Sequence, residues 1–455
     1  MKKYSEYKDI GLPWYPQGVP SHWTLMRHKN VLDEHKELVG KNADNYTLLS
    51  LTVNGVIIRD LSEGKGKFSK DYDKYVVVDK GDFVFCLFDV DETPRTVGLS
   101  RNHGMITGAY DVFHPHDINS AYFYYYYLAL DNTKALKPLY SGLRKVIPYP
   151  SFMATKFPVP PREEQEQIVR YLDWQISRIN HLIHGYQKQI KLLKERRQTI
   201  IDRATTQGIN KNVAYKNSGV RWIDNIPEHW NMVYAKKLFA QRKDKAFPND
   251  IQLTSSQKYG IISQEEFMKL EGRRLTVVMT GEDILKHVGI GDFVISMRSF
   301  QGGLEYSYVE GKISSAYVML IPNKEKVYDE YFKWLLKSKP YIKALQGTSD
   351  LVRDGQALRY ANFAKVYLPE IPLDEQKEIA EYIAAEVAKI DNALPTFQKE
   401  IELLREYRTR LISDVVTGQI DVRDVVIPEY TPEEDTEIDT DDAGEDMEEV
   451  AEDAE

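Results

Sequence analysis

Two stretches of the chain carry apolar side chains at alternating steps of four and three. Within residues 373–417 the stripe runs Ile379, Ile383, Glu386, Ile390, Leu394, Phe397, Ile401, Leu404, Arg408, Leu411 and Val415. Within residues 162–206 it runs Ile168, Leu172, Ile179, Leu182, Tyr186, Ile190, Leu193, Ile200 and Ala204, with a register shift near His184–Gly185. Such spacing keeps one face of a helix apolar and forms the seam of a coiled coil. Each stretch begins just behind a proline, so two helices are expected, each roughly 65 Å long at ~1.5 Å per residue. Gly185 and Pro395 stand at matching places and predict a bend in both. Elsewhere the pattern changes to short β-branched and aromatic runs, such as "YVVVDKGDFVFCLF", "LTVVMT" and "AYVMLIP", set between Gly, Asn and Asp turns. Those runs predict a small sheet with a few helices around it.

The same words recur in the same order. "GLPWYPQGVPSHW" (11–23) returns as "GVRWIDNIPEHW" (219–230), and "KGDFVF" (80–85) as "IGDFVI" (290–295). "GMITGAYDVFHP" is answered by "GKISSAYVMLIP", "AYFYYYYL" by "EYFKWLLK", "PPREEQEQIVRYL" by "PLDEQKEIAEYI", and "ATTQGI" by "VVTGQI". Collinear matches at a nearly constant offset mark a tandem duplication of head and helix. Two isolated helices with apolar seams are natural partners for each other. In the order head–helix–head–helix the second must run back along the first, so an antiparallel coiled coil with pseudo-two-fold symmetry is expected. The fold class is therefore α+β, with two mixed α/β domains joined by two long helices. A two-headed rod of this kind suits duplex DNA, whose strands are themselves related by a two-fold. It equally suits an adaptor that holds two protein partners.

Composition narrows the choice only a little. At 455 residues, 42% apolar and 28% charged, the chain is long enough for several ordinary globular domains. No apolar run reaches eighteen residues, the N-terminus lacks a signal-type apolar core, and a single cysteine, Cys86, excludes an internal disulfide. A cytoplasmic location is expected. The net charge of −9 is set by residues 429–455, which carry fifteen Asp or Glu and no Lys or Arg. Without them residues 1–428 stand at +6, which permits a nucleic-acid partner without arguing for one. The acidic end has too little apolar content to fold and is expected to be disordered.

The entrance "IPEHW" with its cousin "VPSHW", the strand "GDFVISMRS", the "P…EQ" start of each helix and the closing "ELLREYRTRLISDVVTGQID" together decide the matter. In this order, and twice, they resemble the specificity subunit of type I restriction–modification systems over essentially residues 10–420. The resemblance implies two target-recognition domains, at 1–160 and 211–371, each reading half of a bipartite asymmetric DNA site. It implies spacer helices at 161–210 and 372–420 that set the gap and dock two modification (methyltransferase) subunits, to which restriction subunits are added. Residues 421–455 form the acidic tail, which the family pattern does not place. The chain itself is expected to be non-catalytic, with S-adenosylmethionine, ATP and Mg in the partner subunits and no cofactor of its own.

Residue chemistry agrees with that division of labour. No Asn or Asp precedes a Pro-Pro-aromatic triplet, "FQGGL" at Phe300 is one spacing short of a methyl-donor turn, and "EGKGKFS" lacks P-loop spacing. Ten histidines are scattered without metal-ligand spacing, so no metal site is expected, and His22 and His229 read as packing residues of the repeat. Basic side chains in loops suit phosphate, and Arg, Gln and Ser can also read base edges. In the first head the candidates are Lys65, Lys67 and Lys70 in a Lys-dense loop, with Arg95 and Arg101 beside a stretch that does not align with the second head. In the second they are Lys258, Arg273, Arg274, Arg298, Ser299 and Gln301, the last three before two glycines that would allow close backbone approach, and Arg353 and Arg359. Each has a plainer reading as a solvated or ion-paired surface residue. The run "YFYYYY" (122–127) has helical spacing and is expected in the core rather than under stacked bases.

Overall fold

The computed structural model describes residues 2–12, 14–15, 17–59, 72–141, 145–272, 284–296, 299–348 and 359–433. The chain divides into two compact units, one of Met1–Gln187 with Gln398–Ile438 and one of Lys188–Phe397 with Asp439–Glu455. Each unit holds one mixed α/β head and part of both long helices, and the fold class expected from the sequence holds.

In the first unit the head is framed by β1 (Thr24–Arg27), β2 (Leu32–Glu34), β3 (Phe83–Phe85), β4 (Val97–Leu99), β5 (Asp111–Pro115) and β6 (Lys156–Val159). Strands β2, β5, β3 and β4 lie side by side in that order, all antiparallel. Residues alternate faces along a strand, and β3 uses both. Phe83 and Phe85 meet helix α1 (Ser120–Asn132), edge to face on Phe123 at 5.1 Å and on Tyr127 at 4.8 Å. Val84 between them joins Leu49, Val56, Val78, Ile106 and Val112. A strand covered on both sides needs apolar residues throughout, which is why this one reads "FVF" without a polar break. Tyr122, Phe123, Tyr126 and Tyr127 are buried, so the tyrosine run is core. Strand β6 pairs with β1 and closes the head where the chain enters the first long helix, α2 (Arg162–Gln207).

The second unit repeats the plan with β7 (Asn231–Tyr234), β8 (Phe239–Gln241), β9 (Phe293–Ile295), β10 (Glu305–Tyr306), β11 (Val318–Pro322) and β12 (Tyr367–Glu370). The sheet order is β8, β11, β9, β10. Phe293 and Ile295 share a core with Tyr331, Phe332 and Leu335 of helix α3 (Asp329–Leu335), while Val294 joins Leu253, Ile261, Val288, Ile313 and Met319. Strand β12 pairs with β7 and leads into the second long helix, α4 (Leu373–Val416).

Both long helices are unbroken, α2 through Gly185 and α4 through Pro395. Within the first unit, Arg408 donates to the Asn180 side-chain oxygen at 2.8 Å, and Gln167 reaches the carbonyls of Val422 and Val425. Partner numbers fall as α2 advances, so the two helix segments run antiparallel there. Within the second unit Arg197 meets Asp391 at 2.9 Å, and Ile201 and Ala204 share a core with Ile379, Ile383 and Val387.

Of the proposed seam, Ile168, Leu172, Ile179, Ile190, Ile379, Ile383, Ile390, Ile401 and Leu411 are buried. Tyr186, Leu193, Ile200, Leu394, Phe397 and Leu404 are half-buried. Leu182 is a correction: it is 51% exposed, and Ile183 is buried instead. From Ile179 a step of four reaches Ile183, another reaches buried Gln187 and a step of three reaches Ile190, so the stripe continues without a shift. Ile201, beside Ile200, is likewise the buried member of its pair.

Residues 421–433 correct the expectation of a tail disordered from its start. The Asp421 amide donates to the Lys2 carbonyl, and Val422 is buried. Further on, Ser177 and Asn180 of α2 satisfy backbone groups of Thr431 and Glu433. The backbone of this strap finds its hydrogen bonds on the helix, which low apolar content alone did not reveal. The acidic run from residue 434 lies outside the described residues.

Candidate nucleic-acid interface

Each repeated sequence word is one part of the joint that fixes a head to its helix. In the first unit Glu164, in the opening turn of α2, accepts hydrogen bonds from Tyr4 Oη at 2.6 Å and Trp23 Nε1 at 2.9 Å, and its other oxygen meets His22 Nε2 at 2.7 Å. In the second, Glu375 at the start of α4 accepts from Trp230 Nε1 at 3.0 Å and faces His229 Nε2 at 2.8 Å. The next residue does a second job. Gln165 accepts from the Asn119 amide and donates to the Pro160 carbonyl; Gln376 accepts from the Tyr328 amide and donates to Lys326 and Ile371. Asn119 and Tyr328 are the N-cap residues of α1 and α3, so Gln ties the long helix to the aromatic helix of its head. Acidic residues also suit a helix N-terminus, where backbone N–H groups lack partners.

The far end of each helix completes the other unit's joint. Gly208, after α2, has φ +74°, and a side chain there would meet Trp230. Gly418, after α4, has φ +72°, and a Cβ would fall 2.3 Å from Pro20 and 3.2 Å from Trp23. Only glycine combines that left-handed turn with so close an approach.

The Gly-Asp turn ahead of the central strand places a buried carboxylate in each head. Asp292 accepts from Arg242 Nε at 2.6 Å, from Arg242 Nη2 at 3.0 Å and from the Gly289 amide at 2.9 Å. Hydrogen bonding to Asp292 raises the guanidinium pKa and keeps its charge fixed. Asp82, fully buried, meets His35 Nδ1 at 2.7 Å and His114 Nδ1 at 3.0 Å, and accepts from the Asp79 amide at 2.9 Å. These contacts fix the turn that leads into the central strand, and the loops that do not align leave from that strand's other end.

The sequence-derived contact residues fall into three groups. Lys65, Lys67, Lys70, Arg273, Arg274, Arg298 and Arg353 lie outside the described residues. Arg101, Gln301 and Arg359 are exposed. The other three, Arg95, Lys258 and Ser299, have partners inside their own heads. Arg95 is bound to buried Asp131 at 2.9 Å and to Asn132, which commits its charge to the head. Lys258 pairs with Glu271 at 3.2 Å and lies over the Tyr259 ring. Ser299 is fully buried, and its hydroxyl accepts from the Ser296 amide, so it shapes a turn. The glycines after it serve packing: at Gly303, φ +83°, a Cβ would fall 2.3 Å from the Leu336 carbonyl. Val53, Ile57 and Ile58 stand on the hairpin of Leu49–Thr52 and Gly55–Ile58, directly before the Lys-dense loop in sequence.

Among the described residues no helix is long and apolar enough to cross a membrane. The type I restriction modification DNA specificity domain family matches residues 56–192. A relative from Methanocaldococcus jannaschii, assigned provisionally as the type I restriction enzyme MjaX specificity subunit, is 26% identical over 59% of this chain and 60% of its own length. The type I restriction enzyme MjaVIII specificity subunit of the same organism is 26% identical over 60% of this chain and 64% of its own. The chain thus spans somewhat less than two thirds of the length of these curated relatives. A solved chain, from work on complex assembly and conformational transition of the type I R-M system, shares the fold at a TM-score of 0.61, with 14% identity over 89% of this chain and all of that one. The family match runs from the first head into α2, and with a doubled joint built from the same residue types in both units the chain is similar to the specificity subunits of type I restriction–modification systems.

Proposed function

We propose that this chain is the DNA-recognition subunit of a type I restriction–modification complex. Each head reads one half of a bipartite, asymmetric site in double-stranded DNA, and the long helices set the gap and dock two modification subunits. Restriction subunits join that core. Catalysis then belongs to the partners, which bring S-adenosylmethionine, ATP and Mg2+, and the complex works in the cytoplasm.

The observation that carries this reading is the duplicated joint. Glu164 with Trp23 and Glu375 with Trp230 hold diverged heads on helices in the same way. A constant mount with variable loops suits a reader whose two half-sites differ, because base readout depends on loop side chains and not on the mount.

The test is exchange of residues 1–160 for the equivalent part of a relative, followed by mapping of methylated adenines in cells that carry the modification subunits. One half of the methylated site is expected to change while the other half and the gap stay. A change in both halves, or methylation by the purified chain alone, would overturn the reading. Salt-insensitive association with duplex DNA would favour the protein-adaptor alternative, since neutralised phosphates must release counterions.

A further inference from the structure

Among the described residues, the buried carboxylate of the Gly-Asp turn receives a fixed positive charge in only one head. Arg242 is the first residue after β8, and its amide donates to the Met319 carbonyl at 3.0 Å. The first residue after β2 is His35, whose amide donates to the Val112 carbonyl at 2.8 Å. The two residues therefore occupy the same place in the sheet. Arg242 grips Asp292 with two nitrogens, whereas Asp82 is met by the imidazoles of His35 and His114. A buried carboxylate needs a compensating cation.

The surroundings of Asp82 are rich in metal-ligand atoms. One ligand atom each from His35, Asp79 and Asp82 lies within 4.8 Å of the other two. Asp79 Oδ1 is bound by His103 Nδ1 at 2.7 Å, and Asp82 Oδ1 by His114 Nδ1 at 3.0 Å. We propose that His35, Asp79 and Asp82 hold a divalent transition-metal ion of the Zn2+ class, which supplies in the first head the charge that Arg242 supplies in the second. One nitrogen and two carboxylate oxygens suit Zn2+ or Co2+ better than Ca2+ or Mg2+, which favour all-oxygen shells. Ligands ~2.0–2.1 Å from a tetrahedral ion stand about 3.3 Å apart, so the His35–Asp82 contact opens by roughly half an ångström on loading. His103 and His114 then act from outside, orienting the carboxylates as second partners do in metal centres. Asp79 is 54% exposed at its side chain, which leaves an entry path and room for water as a fourth ligand. Residues 35, 79 and 82 come from the end of β2 and the turn before β3, so the ion staples one sheet corner. Their spacing in sequence has no metal-site signature, which is why scattered histidines looked uninformative. The site is independent of the DNA-recognition reading.

The full-length chain, stripped with a chelator, is titrated with Co2+ by visible absorption and with Zn2+ by calorimetry. One equivalent of Co2+ is expected to give ligand-field bands that Zn2+ abolishes. His35→Gln and Asp79→Asn should each weaken binding by about tenfold or more. Asp79 is exposed and its backbone contact survives the change, so that variant should keep its circular dichroism spectrum. His181→Gln, outside the cluster, should bind as the parent does. The absence of saturable binding overturns the proposal. So does binding that persists in Asp79→Asn and disappears when residues 434–455 are removed, which would assign the ion to the acidic end.

Discussion

His28 is enclosed at the centre of the first head, with Nδ1 donating to the Phe152 carbonyl at 2.6 Å and Nε2 accepting from the Tyr127 hydroxyl. Both ring nitrogens are used by the neutral tautomer. Burial pushes the imidazole down to about 3, against a smaller upward pull from the Phe152 carbonyl. Because the folded value lies below the unfolded one near 6.5, the unfolded chain takes up the proton first as pH falls. The contribution is therefore complete above pH ~6.5 and is lost progressively towards pH ~3, by a few kcal/mol in order of magnitude. Ala235 occupies the matching position after β7, so the second head lacks this liability. Hydrogen exchange through that pH window should open peptides of β3 and α1 before those of β9 and α3; simultaneous opening would remove His28 as the cause. The joint carboxylates make a second contrast. Glu164 is buried with three partners, so Glu164→Ala orphans the Tyr4 and Trp23 donors and should cost roughly 2–4 kcal/mol in urea unfolding. Glu375 is half-buried and, among the described residues, has no tyrosine partner, so Glu375→Ala should cost about 1 kcal/mol. Equal losses would mean that the two joints are energetically alike.

The elements that were legible in sequence are those whose pattern is set by one geometric period. The long helices and the strand "FVF" belong here, because a seam repeats every three or four residues and a doubly covered strand is apolar throughout. Neighbour choice was less legible. Leu182 and Ile183 are both apolar, and only the helix packed against them decides which is buried. Ser299 and Gly303 read as ligand-facing because loop composition does not reveal that Leu336 closes over the turn. The His35–Asp79–Asp82 cluster was invisible for the same reason: the sheet assembles it from distant segments. The strap after α4 is a further tertiary product. Hydrogen bonds from His184 and His181 hold the Glu433 carboxyl below its ordinary value of 4.5. A depressed folded value means that the contact stabilises above pH ~4.5 and is lost as pH falls through the lowered value. Glu433→Gln should reproduce that loss at neutral pH, with faster hydrogen exchange in residues 422–433 while α2 stays protected. Unchanged exchange there would show that Ser177 and Asn180 suffice.

At the scale of the whole molecule the proposed spacer role gives a quantitative expectation. Residues 162–207 and 373–416 form helices of 46 and 44 residues, and their segments pair antiparallel inside each unit. Lengthening one helix alone would slide its seam against the other and expose apolar side chains, so both must grow together. Four added residues in each extend the pair by about 6 Å and overshoot one helical turn by about 40°. Duplex DNA rises ~3.4 Å per base pair and turns once in about 10–10.5 pairs, or roughly 35° each. The translation asks for nearly two extra base pairs, and the rotation for about one. The unspecified gap in the methylated site should therefore widen by one or two base pairs while both half-sites keep their sequence. Mapping methylated adenines with the lengthened chain reads this directly. A gap that stays fixed would place the ruler in the partner subunits, and altered half-sites would mean that the helices also shape the reading heads.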